Sequence, residues 1–256
     1  MMKRIKLLIE YDGTSYQGWQ SQKSRMTVQD TLCERIGSIT GEKIQLTGAS
    51  RTDAGVHALG QVAAFDTTSD LPPEVLKRAM NAKLSPDIRI RSSEAIGDSF
   101  HPRYDAVKKR YFYLIRLESN PSAFIHKYAW HVKAEIQLDA MRYAAAHLTG
   151  EHDFSSFRAS GCGATTTTRT VHTIQISAFD TIDFMTAPVK GPNIKITIEA
   201  NAFLRHMVRN IVGTLVEVGR GRIPAEEVRG ILASQDRTTA GPTAPSHGLF
   251  LETVFY

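Results

Sequence analysis

The sequence predicts a mixed α/β chain of the α+β kind, built as two halves of similar element order. Three observations predict it. Short apolar runs with strand alternation interleave with stretches of helical period. The first hundred residues run β-α-β-loop-β-α-β. A comparable succession of strands and helices starts again near residue 105.

The first strand is Lys3–Glu10 (KRIKLLIE). Thr27 opens a helix through Ile39: Val28, Leu32, Ile36 and Ile39 recur at helical spacing, and Asp30 completes a capping-box-like start. Lys43–Thr47 and Gln61–Asp66 read as the second and third strands, with a loop between them. Pro72 and Pro73 suit the first turn of a helix reaching Ala79, because proline lacks only an N–H that is unpaired there anyway. Ile88–Glu94 is extended. This order is ferredoxin- or RRM-like. The segment Asp98–Lys108 is the candidate boundary, which gives an N-terminal α/β domain over 1–104 and a C-terminal one over 105–256. In the second half, Lys109–Arg116, Thr170–Ala178, Asn193–Ala200 and Leu249–Tyr256 read as strands. Leu138–Leu148, Phe203–Val218 and Pro224–Leu232 read as helices. Between them, 155–169 is a polar, glycine-bearing loop of a length that is more often functional than structural.

The net charge is +5, and its distribution is uneven. Residues 1–116 carry 18 Lys/Arg against 13 Asp/Glu, whereas residues 117–256 carry 13 of each. A polyanion partner met mainly by the N-terminal part fits this asymmetry, and so does an ordinary basic surface. Cys33 and Cys162 are the only cysteines, and neither has metal or CxxC spacing. There is no P-loop, Rossmann fingerprint or HExxH, so nucleotide-hydrolysing, dinucleotide-dependent and zincin chemistry find no motif. No apolar run approaches the length of a membrane span, and the start has no signal-type apolar region, so a cytoplasmic protein without membrane contact is expected.

Four stretches can carry chemistry. The first is GASRTDAGVHALGQVAAF (48–65), where a loop between two strands holds Arg51, Asp53 and His57 among small residues. With little bulk around it, the Asp53 carboxylate is open to a planar substrate. The competing reading is a turn-stabilising Asp with Arg51 as its surface ion partner. The second is KKRYFY (108–113), three cations leading into an aromatic strand in which Tyr111 and Tyr113 share a face. Aromatic faces and cations suit RNA bases and phosphates, while a core strand with a charged start is the alternative. The third is NAFLRHMVRNIVG (201–213), with Phe203, Met207, Ile211 and Leu215 as an apolar stripe and Arg205 and Arg209 one turn apart beside it. The fourth, YDGTSYQGWQSQ (11–22), is rich in glycine, aromatics and amides.

Taken in order, YDGTSYQGWQ, RTDAGVHALGQV, FHPRYDAVKKRYFY, HDFSSF, FLRHMVRNIVGTL and GLFLETVFY resemble the tRNA pseudouridine synthase A family over most of the chain. The resemblance implies two α/β domains whose antiparallel sheets join, with the active-site cleft between them. It implies an isomerase that converts uridine to pseudouridine at positions 38, 39 and 40 of the tRNA anticodon arm. Such enzymes are homodimeric and cofactor-free; the Cys and His spacing separately suggests no metal site. By the same resemblance Asp53 is the catalytic aspartate, and Arg51 helps extrude the target nucleotide. Tyr111 stacks on the uracil and is a candidate for a late proton transfer. Arg209 pairs with the aspartate, and Leu249 lines the base pocket. Ser50 departs from the glycine usual before the RTD arginine, which leaves open a different preferred uridine.

Two other readings of the whole are a non-enzymatic RNA-binding protein, which would not need Asp53, and a base-releasing glycosidase. The second conflicts with the motif itself: most glycosidases need two carboxylates, and no second acid neighbours Asp53 there.

Overall fold

Strand β1 (Lys3–Tyr11) buries Ile5, Leu7, Ile9 and Tyr11 and alternates as the sequence dictates. The structure is a computed structural model and describes residues 2–23, 25–118, 120, 122–184 and 187–256. The chain divides into two compact units, Met1–Val107 with Phe250–Tyr256, and Lys108–Leu249.

In the first unit β1 is followed by α1 (Val28–Thr40), β2 (Thr47–Gly48), β3 (His57–Thr67), α2 (Pro73–Lys83) and β4 (Ile88–Ile96). β1 pairs antiparallel with both β3 and β4, and β2 pairs antiparallel with β3, giving the order β4-β1-β3-β2 of a ferredoxin-like sheet. Thr27 caps α1, its hydroxyl oxygen accepting the Asp30 N–H at 3.2 Å and donating to the Asp30 carboxylate at 2.6 Å. Such a cap contributes about 1 kcal/mol. Helix α1 turns Val28, Leu32 and Ile36 into the core, and α2 turns in Leu76 and Met80. The second strand is shorter than the apolar pattern predicts: Ile44 and Leu46 are buried, yet ladder pairing begins only at Thr47. The last strand of the chain, β10 (Leu249–Phe255), lies parallel to the start of β3, with Phe250 opposite His57 and Leu251 opposite Ala58.

The second unit holds β5 (Lys108–Arg116), β6 (Trp130–His131), α3 (Leu138–Ala146), β7 (Gly150–Asp153), β8 (Thr168–Phe184), β9 (Ala187–Ala200), α4 (Met207–Gly219) and α5 (Glu227–Ser234). Its strands run β5-β9-β8-β7, antiparallel throughout, with β6 parallel to β5. Tyr111, Tyr113 and Ile115 lie in register with Ile198, Ile196 and Ile194, an apolar row that continues to Ile174 and Ile176 on β8. α4 is buried almost all round, from Met207 to Gly219. It starts four residues later than the stripe Phe203–Val218 predicts. His206 stands at φ +63°, a left-handed conformation that a non-glycine residue adopts only at a cost and that stops the helix from beginning earlier. The short strands β6 and β7 have no alternation long enough to be read from sequence.

With the division at Val107, the basic excess changes owner. Residues 108–249 carry 17 Lys/Arg against 12 Asp/Glu, so the second unit holds the whole +5. The first 116 residues look basic because they include Lys108, Lys109, Arg110 and Arg116.

Candidate active site

The loop between β2 and β3 is fixed by backbone groups together with a few buried side chains. At the edge of β3, Ala49 N–H donates to Val62 O at 2.8 Å. The Gln61 side-chain amide then grips Ser50 at both ends, accepting its N–H at 3.2 Å and donating to its carbonyl at 2.8 Å. Gln61 is fully buried, so a polar side chain there needs this pairing. β10 occupies the neighbouring stretch of the same edge, opposite His57 and Ala58. The chain from Ser50 to Val56 therefore leaves the sheet between two paired segments and returns to it.

A second layer holds that excursion. Trp19 N–H donates to Thr52 O at 3.0 Å, and Gly55 N–H to Tyr16 O at 3.3 Å. The Tyr11 hydroxyl and the Thr52 hydroxyl share a buried 2.8 Å hydrogen bond. Val56 N–H donates to Asp53 O at 3.1 Å and closes a turn. Gly13 N–H donates to Nδ1 of His57, which is buried and stacked on Phe250 at 4.6 Å between ring centroids. Gly18, at φ +90°, comes so close that a β-carbon there would stand 2.5 Å from Thr52 O. The glycine- and aromatic-rich segment 11–22 is thus the mould of the RTD loop, a role its composition alone does not reveal. Within this mould Arg51 is exposed and Asp53 is half-buried.

Ser50, the departure from the usual glycine, is buried. Its backbone is not among the left-handed positions of the described residues. A side chain is tolerated there because nothing in the local conformation demands glycine.

In the second unit Tyr111 is buried on β5, with Phe203 edge-on at 5.1 Å. The aromatic strand is largely core: Tyr111, Phe112 and Tyr113 are all buried, and the Lys195 ammonium covers the Phe112 ring at 4.5 Å. Two of its leading cations share one internal carboxylate. Lys108 reaches the Glu199 carboxylate at 2.7 Å and Arg110 reaches it at 2.6 Å. Hydrogen bonding from Lys108, then from Arg110, holds the Glu199 carboxyl below the usual carboxylate range. Arg209 is tied into α4 and the loop before β10: its Nε donates to Ala244 O at 2.7 Å, and Ala244 N–H donates to Arg209 O at 3.1 Å. The Tyr113 hydroxyl donates to Pro245 O at 2.7 Å. Burial pushes this phenol far above its ordinary range, and the Arg209 charge opposes that rise. Leu249, buried at the start of β10, ends the same loop.

The predicted residues fall into two groups. Arg51 and Asp53 share one loop of the first unit, and Tyr111, Arg209 and Leu249 belong to the second.

The family of the chain is decided by comparison. A family model described as tRNA pseudouridine synthase matches residues 7–105 and 144–256. The chain belongs to this family. Its relatives include the "tRNA pseudouridine synthase A" of Acetivibrio thermocellus, 46% identical over 255 residues and covering 100% of both chains. The protein of that name from Thermoanaerobacter sp. strain X514 is also 46% identical, with 100% of each chain covered. The one from Geobacter sulfurreducens is 44% identical over 253 residues, 99% of each chain.

Within this family frame, sequence reasoning missed the clasp beneath Arg209. Arg237 donates to Asn210 Oδ1 at 3.2 Å and to the Thr243 hydroxyl at 3.1 Å, and that hydroxyl donates to Asn210 Oδ1 at 2.6 Å. The clasp fixes the loop 240–245, whose Ala244 carbonyl receives Arg209. Its only sequence signal is the loop composition AGPTAPSHG, which marks a turn but not what the turn holds. Among the described residues no helix is long and apolar enough to cross a membrane.

Proposed function

We propose that this chain isomerises uridine to pseudouridine in the anticodon arm of tRNA, at positions 38, 39 and 40, with Asp53 as the catalytic carboxylate. One observation carries the reading: an Arg-Thr-Asp loop held by backbone hydrogen bonds and a buried Tyr11–Thr52 hydroxyl pair, with Asp53 half-buried and Arg51 exposed beside it, in a chain of the tRNA pseudouridine synthase family.

The reaction breaks the N1–C1′ bond, turns the uracil and joins C5 to C1′; the C5 proton leaves and N1 gains one. No electrons are exchanged and nothing is added overall, so the residues need supply only position, charge and proton transfer. The target base must leave its stack, at a cost of a few kcal/mol. Arg51 offsets this by engaging the vacated strand, and Tyr111 by stacking on the uracil. Asp53 acts either as nucleophile at C1′ or C6 or as base toward a sugar proton. Arg209 is the basic partner of the Asp53 carboxylate. Leu249 lines the base pocket and helps exclude the water that would release free uracil. In this reading the enzyme is a cytoplasmic homodimer.

Tritium release from tRNA carrying 5-tritiated uridine tests the reading, with mapping of the product. Asp53→Asn is expected to lose on the order of 10³-fold or more in turnover while still binding tRNA. Near-normal turnover in that variant would refute the role of Asp53. Free uracil as product would make the chain a glycosidase, and tRNA binding with no product would make it a binding protein.

A further inference from the structure

The motif FHPRYDA precedes β5, and the catalytic reading leaves it without a role. Its turn is held by hydrogen bonds from β1, from β10 and within the turn itself. Arg4 on β1 donates to the carbonyls of Asp98 and Phe100 at 2.6 and 2.9 Å. The Tyr256 hydroxyl donates to Pro102 O at 2.7 Å, and Val107 N–H donates to Phe255 O at 2.9 Å. Inside the turn, Nδ1 of His101 accepts the N–H groups of Arg103 and Tyr104 at 3.1 and 3.2 Å. The Asp105 carboxylate accepts His101 N–H at 2.9 Å.

What this scaffold displays is an aromatic ring in solvent. Tyr104 is 75% exposed. The His101 ring stacks against it with centroids 4.2 Å apart and planes at 29°. The Arg103 guanidinium lies over it, 5.7 Å from its centroid. Among the described residues no carboxylate pairs with the Arg103 guanidinium. A pinned, solvated tyrosine flanked by imidazole and an unpaired guanidinium has little ordering entropy left to lose on binding. It matches the needs of an unpaired nucleotide: an aromatic face for the base and a cation for its phosphate. A protein partner fits less well, because the one other strongly exposed apolar side chain of the turn is Val107, too little for an interface core.

The turn sits at the Arg4 end of β1, whereas the RTD loop packs on the Tyr11 end. Seven residues of strand separate them, roughly 23 Å at strand rise. A nucleotide at Tyr104 is therefore not the one presented to Asp53.

We propose that the His101–Arg103–Tyr104 turn is a base-stacking contact for tRNA, taking an unpaired nucleotide other than the uridine being isomerised. This rests on the tRNA pseudouridine synthase reading and adds a second point of contact to it. The test uses the full-length protein and an unmodified tRNA transcript with a fluorescent end label. Anisotropy gives Kd over a salt series, and the same preparations are assayed for single-turnover tritium release at saturating enzyme. Tyr104→Ala is expected to raise Kd at least about fivefold, the lower end of what base–aromatic stacking supplies. Tyr104→Phe, which keeps the ring, is expected to stay within about twofold of the parent. Arg103→Gln is expected to weaken binding and to reduce the salt slope by about one. The saturated single-turnover rate is expected to be unchanged in all three. A Kd for Tyr104→Ala equal to the parent's, in an enzyme that releases tritium, overturns the stacking contact alone. A parent protein that releases no tritium overturns the catalytic reading, and this proposal with it.

Discussion

Gly18→Ala separates backbone strain from crowding of the RTD loop. Gly18 has φ +90°, and an added methyl would meet Thr52 O at 2.5 Å, Asp53 C at 3.0 Å and Ala54 N at 3.2 Å. Two costs follow. An L-residue in a left-handed conformation loses about 1–2 kcal/mol. A methyl needs a carbonyl oxygen about 3.3 Å away, so the backbone of Thr52 must retreat by roughly 0.8 Å, and such overpacking costs about 1–3 kcal/mol. The expected loss of stability is about 2–5 kcal/mol. Gly41→Ala is the control. Gly41 has φ +76° where α1 ends, and nothing lies within 4 Å of an added methyl, so only the strain remains. The difference between the two urea midpoints measures the crowding. Catalysis separates them further, because the atoms that must move in Gly18→Ala are those that hold Asp53. A misplacement near 1 Å costs about 10²-fold in the chemical step. Single-turnover tritium release should fall by that order in Gly18→Ala and stay near normal in Gly41→Ala. Equal midpoints and equal rates would show that segment 11–22 does not shape the catalytic loop.

Tyr11→Phe is expected to cost about 1–2 kcal/mol, because it strands the buried Thr52 hydroxyl. It should also lower kcat severalfold with KM nearly unchanged; an unaltered kcat would place Tyr11 outside the positioning of Asp53. Glu199→Gln tests the ion cluster on β5 and β9. Lys108 and Arg110 depress the folded-state carboxyl pKa below its unfolded value. The stabilisation is therefore complete above about pH 4.3 and fades as pH falls through the depressed value. The parent is expected to exceed the variant by about 1–3 kcal/mol near pH 6, with the gap narrowing as the pH falls below about 4.3 in urea titrations. A gap independent of pH would mean that packing, not charge, is lost.

Much of the architecture was legible because strand and helix periods are local. The alternation of Lys3–Tyr11, the Thr27 and Asp30 cap, and the proline start of α2 each follow from a few neighbouring residues. The RTD loop was legible too, since Asp53 and Arg51 share one short motif that the family model covers. Lys108–Tyr113 was harder. Its cations and aromatics suit a surface for RNA and a core strand with a charged start equally; the rings are buried, and Lys108 and Arg110 share the Glu199 carboxylate. Glu199 lies 91 residues beyond Lys108, on a strand whose register no local pattern reports.

By itself, then, the sequence determined the α/β class, the order of elements and the family, because these depend on local spacing and on motif order. Only the tertiary structure decided that Phe250–Tyr256 completes the first unit, that residues 11–22 form the mould of the Asp53 loop, and that Arg237, Asn210 and Thr243 clasp the loop that receives Arg209. Each of these is a contact between segments far apart in the chain. It is set by which buried hydrogen-bonding groups can satisfy one another once the sheets have formed, and that pairing has no period to read.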